Sequence, residues 1–332
     1  MQSMAVASDV DLRACDLISL SGMLRVCDME MVLLGSKGPK AALGSHESNK
    51  AIFFSGEADF PFRGRFVLPT DWCLIGYIHH TAEGSWCHGT SLRSGMAFTV
   101  LPEGISEFMF SAGSRISAVL VPLETLQQKL LVHDHIQGNN PARQLALFTL
   151  SGERHAQVLR THYERICHKL MHDTAHQDAP PLSDADADAL LENHLLAGLY
   201  ASAQDRPQCS RGRRTHYLIL QRTEQFMRAN MRHDIYINEM CNAAGVSERA
   251  LRYAFEDLLG ISPNRYLSML RLCTACRSLS LSDASRRSVK SVALSCGLWD
   301  LSRFADHYRR VFGELPRDTL MRAPPVDAVF AE

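Results

Sequence analysis

Between Ile237 and Leu320 the chain carries one pattern twice. The first copy runs from Ile237 to Leu267 and the second from Val289 to Leu320. In each, a small residue (Cys241, Ala293) stands four positions before a glycine (Gly245, Gly297). An apolar pair at helical spacing follows: Leu251 with Phe255, and Phe304 with Tyr308. Each copy closes on Gly-x-x-Pro, at Gly260–Pro263 and Gly313–Pro316, and the second has one extra residue in its turn. An internal repeat restricts the architecture more tightly than composition does, because both copies must form the same small unit.

The unit reads as a helix-turn-helix. The small residue lets two helices cross closely, and the glycine takes the positive φ that ends the first helix. Ser247 is placed to cap the second helix. Gly260 ends that helix, and Pro263 sits where a first helical turn tolerates proline. The second helix of such a unit enters the DNA major groove. Between the copies, Pro263–Leu279 has no internal Gly or Pro, and Tyr266, Leu267, Leu270, Ala275 and Leu279 share one face, so a single stiff helix is expected.

Two such units joined by one helix resemble the DNA-binding domain of the AraC/XylS family of transcription regulators. The residues that carry the resemblance are Ile261-Ser262-Pro263, Tyr266-Leu267, Arg271-Leu272, Ala275, Val292-Ala293, Cys296-Gly297, Phe304, Arg309-Arg310 and Phe312-Gly313, in the last third of the chain. Three positions depart from the family: Leu298 stands where Phe is usual, Asp306 where a basic residue is usual, and Leu315 where Ser is usual. With Leu251 and Phe255 turned inward, Arg249, Arg252 and Tyr253 of the first unit point outward, and the resemblance places them at the groove. In the second unit Ser302, Arg303, Asp306 and His307 face out. Arg249, Arg252 and Arg303 suit guanine, whose O6 and N7 accept two hydrogen bonds from one guanidinium. Asp306 would accept from a cytosine amino group or pair with a neighbouring Arg. Arg309 and Arg310 are expected on the phosphate backbone. Ser247, as cap, completes the candidate set.

The charge distribution agrees. The net charge of −1 conceals a balance of +7 over residues 213–322 and −8 over the rest. A basic module attached to an acidic one suits a DNA-binding domain beside a sensing domain. From Gly22 to about Pro122, short apolar runs alternate with Gly, Pro, Ser and Asp turns, which predicts a sandwich or small barrel. The resemblance implies a cupin-like jelly roll there. The expected fold class is α+β: an N-terminal cupin-like β-barrel with helices, then an all-α domain of two helix-turn-helix units on a linker helix. The expected domains are 1–205 for sensing and dimerisation, 206–213 as linker, 214–322 for DNA, and 323–332 as a disordered tail. Helices are expected over Leu123–His135, within Ala142–Met171, after Ser183, and over His216–Met231, with a loop at 173–181. The first twenty residues read as poorly ordered.

No run of about 18 apolar residues offers a membrane span. The acidic N-terminus does not read as a signal peptide, and ten scattered Cys fit a reducing compartment, so a cytoplasmic protein is expected. No cofactor and no metal are expected. His79, His80 and His88 near a barrel rim lack the His-x-His and Glu of metal cupins. Cys273 and Cys276 form a CxxC without a second pair. Asp184, Asp186 and Asp188 imitate a calcium loop without its Gly and Glu, and a helix N-terminus explains them better. The strand-rich part holds most of the aromatics, some of which line an expected effector pocket. Arg63, Arg65 and Arg93 are either a polar anchor there or exposed surface. Leu190, Leu191, Leu195 and Leu199 form a stripe that serves a homodimer or packs on its own barrel.

These features lead to a non-enzymatic, effector-responsive activator whose partners are double-stranded DNA, a small-molecule effector and, by the resemblance, RNA polymerase. The alternatives are a catalytic cupin fused to a DNA-binding module, and a ligand-independent repressor.

Overall fold

The computed structural model describes residues 9–11, 27, 29–35, 40–133, 145–150, 154–172 and 181–322. The expected tail at 323–332, most of the first twenty residues and most of the loop at 173–181 lie outside this set.

Twelve strands among the described residues form two antiparallel sheets. The larger sheet contains β1 (Asp9–Asp11), β3 (Lys40–Glu47), β4 (Ile52–Ala58), β6 (Trp72–His80), β9 (Met96–Val100), β11 (Ser114–Pro122) and β12 (Leu147–Thr149), in the order β1-β3-β4-β11-β6-β9-β12. The smaller contains β2 (Met29–Leu33), β5 (Phe62–Phe66), β7 (Trp86–Cys87), β8 (Thr90–Ser91) and β10 (Ser106–Phe110), in the order β2-β5-β10-β7-β8. No described strand belongs to both sheets. A closed barrel needs continuous pairing around its girth, so the expected barrel is instead an open pair of sheets. The span Ala142–Met171, expected to contain one or two helices, holds a helix from Arg154 and also the strand β12: Leu147–Thr149 pairs with Met96–Phe98, and Phe148 is fully buried.

The molecule is layered. The outer face of the large sheet is covered by α2 (Arg154–His172) and α3 (Asp184–Tyr200), with α1 (Leu123–Val132) alongside. Ser183 caps α3 as its sequence predicts, and Asp186 returns the bond to the Ser183 backbone N–H at 2.9 Å. The leucine stripe of α3 is core: Leu190, Leu191 and Leu195 are fully buried against Phe53, Ile75 and Tyr163 of the same chain. Burial of each such side chain contributes about 1.5–3 kcal/mol, and a stripe already covered in this way leaves no face for a partner. The expectation that it mediates a dimer is therefore corrected.

Strand alternation gives each sheet a second face. Even-numbered residues of the large sheet (Phe54, Leu74, Phe98, Ala118) point at Met29, Met31, Phe62 and Phe108 of the small one. Between them lies a cavity of about 860 Å³. The far face of the small sheet packs on the C-terminal helices, chiefly α4 (Arg211–Ala229), α6 (Glu248–Leu259) and α7 (Pro263–Ser280). α4 begins at Arg211, inside the span expected as linker, because Ser210 accepts from Arg213 N and caps it there. α5 (Ile237–Ala244) precedes α6, and α8 (Val289–Ser295), α9 (Leu301–Phe312) and α10 (Pro316–Met321) complete the helical part. Among the described residues no helix is long and apolar enough to cross a membrane.

Candidate nucleic-acid interface

Both repeats fold into the predicted unit. In the first, α5 ends at Gly245 (φ 70°) and α6 follows, closed by Gly260 (φ 66°). In the second, α8 ends before Gly297 (φ 70°) and α9 is closed by Gly313 (φ 71°). α7 runs unbroken for 18 residues between them, about 27 Å at the helical rise. Arg271 on α7 ties the units together: Nη2 donates to the His233 carbonyl at 2.5 Å, and its guanidinium lies against Gly297.

On α6, Leu251, Ala254 and Phe255 are fully buried, so the opposite face is open. Arg249 is exposed, and Tyr253 is 64% exposed with its ring edge-on to His216 at 5.1 Å. Arg252 is exposed and paired with Glu248 one turn back (Nε–Oε1 2.8 Å), a surface pair worth about 0.3–0.5 kcal/mol that a base contact can displace. Ser247 is used locally: its hydroxyl accepts from Ala250 N at 3.3 Å.

On α9, Phe304, Tyr308, Val311 and Phe312 are buried. Ser302, Arg303, Asp306, Arg309 and Arg310 are exposed. His307 is half-buried, and burial together with Arg310, Arg265 and Arg303 pushes its pKa down, so it presents a neutral ring among three guanidinium groups. Asp306 forms no ion pair among the described residues. Arg309 and Arg310 lie in the last turn, where positive charge suits the helix dipole.

Two residues here escaped the sequence reading. Trp299 is 55% exposed and Leu301 is 37% exposed, flanking the α9 cap Asp300, whose Oδ1 accepts from Arg303 N at 3.0 Å. The signal was available: the N-terminal residues of a recognition helix contact base edges, and Asp300 is a good cap that dates the helix start.

The remaining candidates separate. Arg63 is neither surface nor cavity anchor. It is 1% exposed and donates from Nε to Glu224 of α4 at 2.9 Å and from Nη2 to Glu107 of β10 at 2.9 Å. Arg65 is half-buried beside Glu30, and Arg93 is exposed. His79 meets the Ser117 hydroxyl at 2.8 Å, His88 meets the Tyr217 hydroxyl at 3.0 Å, and His80 is exposed. Asp184, Asp186 and Asp188 serve three separate partners: the Lys50 backbone N–H, the α3 cap and Lys129. Cys273 accepts from the Leu33 N–H at 3.5 Å, and burial pushes its thiol up to about 12.

With this geometry in place, the comparisons with known proteins are specific. A family model described as a helix-turn-helix domain matches residues 240–322. Over 102 residues the chain is 37% identical to XylDLEGF operon transcriptional activator 1 of Pseudomonas putida, covering 31% of each protein. Residues 240–322 therefore form a helix-turn-helix domain of the kind that AraC/XylS-family transcription regulators carry. The transcriptional regulator GbdR of Pseudomonas aeruginosa is 34% identical over 105 residues, 32% of this chain and 28% of that protein. A crystal structure of a probable AraC family regulator from Rhodopseudomonas palustris is 36% identical, covering 32% of this chain and 98% of that one, with a TM-score of 0.29. The chain thus spans about a third of the length of the curated relatives it matches.

Proposed function

We propose that this chain is an AraC/XylS-family, sequence-specific transcription regulator that responds to an effector and acts as an activator. The carrying observation is that both recognition helices present an exposed, arginine-bearing face while their opposite faces are sealed into one core. The +7 balance of residues 213–322 supports attraction to a polyanion. In this reading residues 214–322 bind double-stranded DNA, residues 206–213 link, and residues 1–205 sense and dimerise. Arg249, Arg252, Tyr253, Ser302, Arg303, Asp306 and His307 face bases, Arg309 and Arg310 face phosphates, and Ser247 holds the first recognition helix. The effector occupies the cavity between the two cupin-like sheets. RNA polymerase and a second copy of the chain are the protein partners, and the protein works in the cytoplasm without catalysis, cofactor or metal. Selection of bound sequences from a random duplex pool tests this. A recovered motif spanning two neighbouring major-groove segments is expected, and recovery of no motif overturns the reading.

A further inference from the structure

The cavity wall and the contact with the DNA-binding helices are the two faces of one thin sheet. Along β5 and β10, Phe62, Phe66 and Phe108 turn into the cavity, and Arg63 and Glu107 turn the other way. What they meet is a buried ion network. Arg63 holds Glu224, Glu224 is also held by Arg228 (2.8 Å) and by the Tyr266 hydroxyl (2.7 Å), and Glu107 accepts from the Tyr217 hydroxyl and from Gln221 (2.9 Å). Burial would raise the Glu224 pKa, but Arg63 and Arg228 bring it down to about 2. Burial would lower that of Arg63, and Glu224 and Glu107 more than offset it. Both groups are therefore charged at neutral pH, inside the protein, across a boundary between two domains.

Such a network has one good geometry. Charge-assisted hydrogen bonds weaken steeply with misalignment, and a buried ion pair stabilises only while it is fully paired. The strand backbone links it to the cavity without slack, because residues 62 and 63, or 107 and 108, cannot shift independently. The outer end of the Phe108 ring packs on Gly64, where even a Cβ would stand 2.2 Å from its Cζ, so an object that presses on Phe108 presses on the β5 backbone beside Arg63.

The cavity also states what it accepts. Its lining is chiefly Phe, Met, Leu and Ile, the neutral polar groups include His88, Thr90, Thr99, Ser106 and Gln208, and the charged side chains are Glu103 and Arg206, one of each sign. Arg206 is engaged by the carbonyls of Gly198 and Ala201, and a charged group moved among the aromatic and aliphatic side chains, away from Arg206 and Glu103, would lose its hydration without a partner. A volume of about 860 Å³ suits a molecule of drug size.

We infer that the cavity takes an uncharged, largely apolar small molecule, and that its occupancy reaches the DNA-binding helices through the Arg63–Glu107–Glu224 network. This rests on the effector-responsive reading above. Coupling between the sites is reciprocal and lies typically between 5- and 150-fold in affinity.

The test uses the full chain, the neutral fluorescent probe phenylnaphthylamine, and its sulfonated counterpart anilinonaphthalene sulfonate. The neutral probe is expected to bind at least about tenfold more tightly. Saturating it should change DNA affinity about fivefold or more. In the triple variant Arg63→Met, Glu107→Gln, Glu224→Gln, which keeps acceptors for Tyr217 and Tyr266, probe and DNA should still bind but independently. Glu107→Gln alone serves as a milder variant if the triple variant does not fold. Hydrogen exchange of α4 provides a readout without DNA: the probe should alter it in the wild type and not in the variant. Tighter binding of the sulfonate overturns the ligand class. Probe binding that leaves both DNA affinity and α4 exchange unchanged overturns the relay, as does undiminished coupling in the variants. A wild type that shows the α4 response but binds no DNA overturns only the regulator reading.

Discussion

Trp86 on β7 donates its indole N–H to the carbonyl of Leu258, in the last turn of the first recognition helix, at 2.7 Å. That carbonyl is one of the four at a helix C-terminus without an intrahelical donor. The bond satisfies it from a strand of the N-terminal sheets and leaves the N-terminal half of the helix, with Arg249 and Arg252, facing outward. Trp86 is fully buried and also lies under the Arg63 guanidinium, 5.2 Å from its ring centre. Trp86→Phe keeps most of the packing and removes the donor. It is expected to cost about 1–3 kcal/mol, read by denaturant unfolding, and to speed amide exchange at the end of α6. An unchanged unfolding midpoint would contradict the assignment.

The two recognition faces predict separable specificity. Arg249→Ala should weaken binding by about 1–3 kcal/mol and relax base preference in one major-groove segment, and Arg303→Ala should do so in the other. The unbroken 18-residue α7 holds the segments apart. Arg309→Ala should instead weaken all sequences alike and reduce the salt slope by about one. Base-by-base selection with each variant measures this. Even weakening by Arg249→Ala and Arg303→Ala would make both phosphate contacts.

His194 makes stability of the strand-rich N-terminal region depend on acid. It is fully buried on α3, with Thr99 Oγ1 on Nε2 at 2.9 Å and the Tyr163 hydroxyl on Nδ1 at 3.2 Å, and burial pushes its pKa down to about 3. The unfolded chain takes up this proton near 6.5. Between those values the unfolded state binds one more proton than the folded state, so stability is complete above about pH 6.5 and falls as pH drops toward 3, by about 1.4 kcal/mol per pH unit at most. His79, pushed down to about 4 by burial and by Arg115, adds the same sign over a narrower window. Unfolding between pH 6.5 and 4 should therefore be steeper in the wild type than in His194→Gln. Parallel curves would show that His194 carries no such penalty.

The helical part was legible because its signals are local. Gly245, Ser247 and Gly260 report backbone conformation at their own positions, and the repeat reports each of them twice. The strand-rich part was legible as strands but not as a closed or open sheet system, since closure depends on pairing between distant segments. The strand Leu147–Thr149 went unread inside a span expected to hold helices, because its partner, Met96–Phe98, lies about fifty residues away. Arg63 was the plainest loss. A charged residue in an alternating strand reads as solvent-facing, and only the helical domain, supplying Glu224 from 161 residues away, makes the opposite face a second interior.

The repeat itself conceals one difference that the structure exposes. Gly245 and Gly297 occupy equivalent positions and share a φ of 70°, so sequence alone predicts equal tolerance to alanine. A Cβ on Gly245 would meet nothing within 4 Å. On Gly297 it would stand 2.3 Å from the backbone oxygen of Met231, just past the end of α4, and 3.1 Å from the Arg271 guanidinium. The first substitution carries only the left-handed backbone strain, about 1–2 kcal/mol. The second adds a clash with backbone that cannot rotate away, and displaces the Arg271 side chain that bonds the His233 carbonyl between α4 and α5. Gly297→Ala should therefore destabilise clearly more than Gly245→Ala, and it should also loosen the spacing of the two units. Thermal unfolding ranks the two variants, and binding to operators with the half-segments moved by one base pair tests the spacing. Equal destabilisation would mean that the second unit yields where α4 abuts it, and the rigid two-segment footprint would lose its basis.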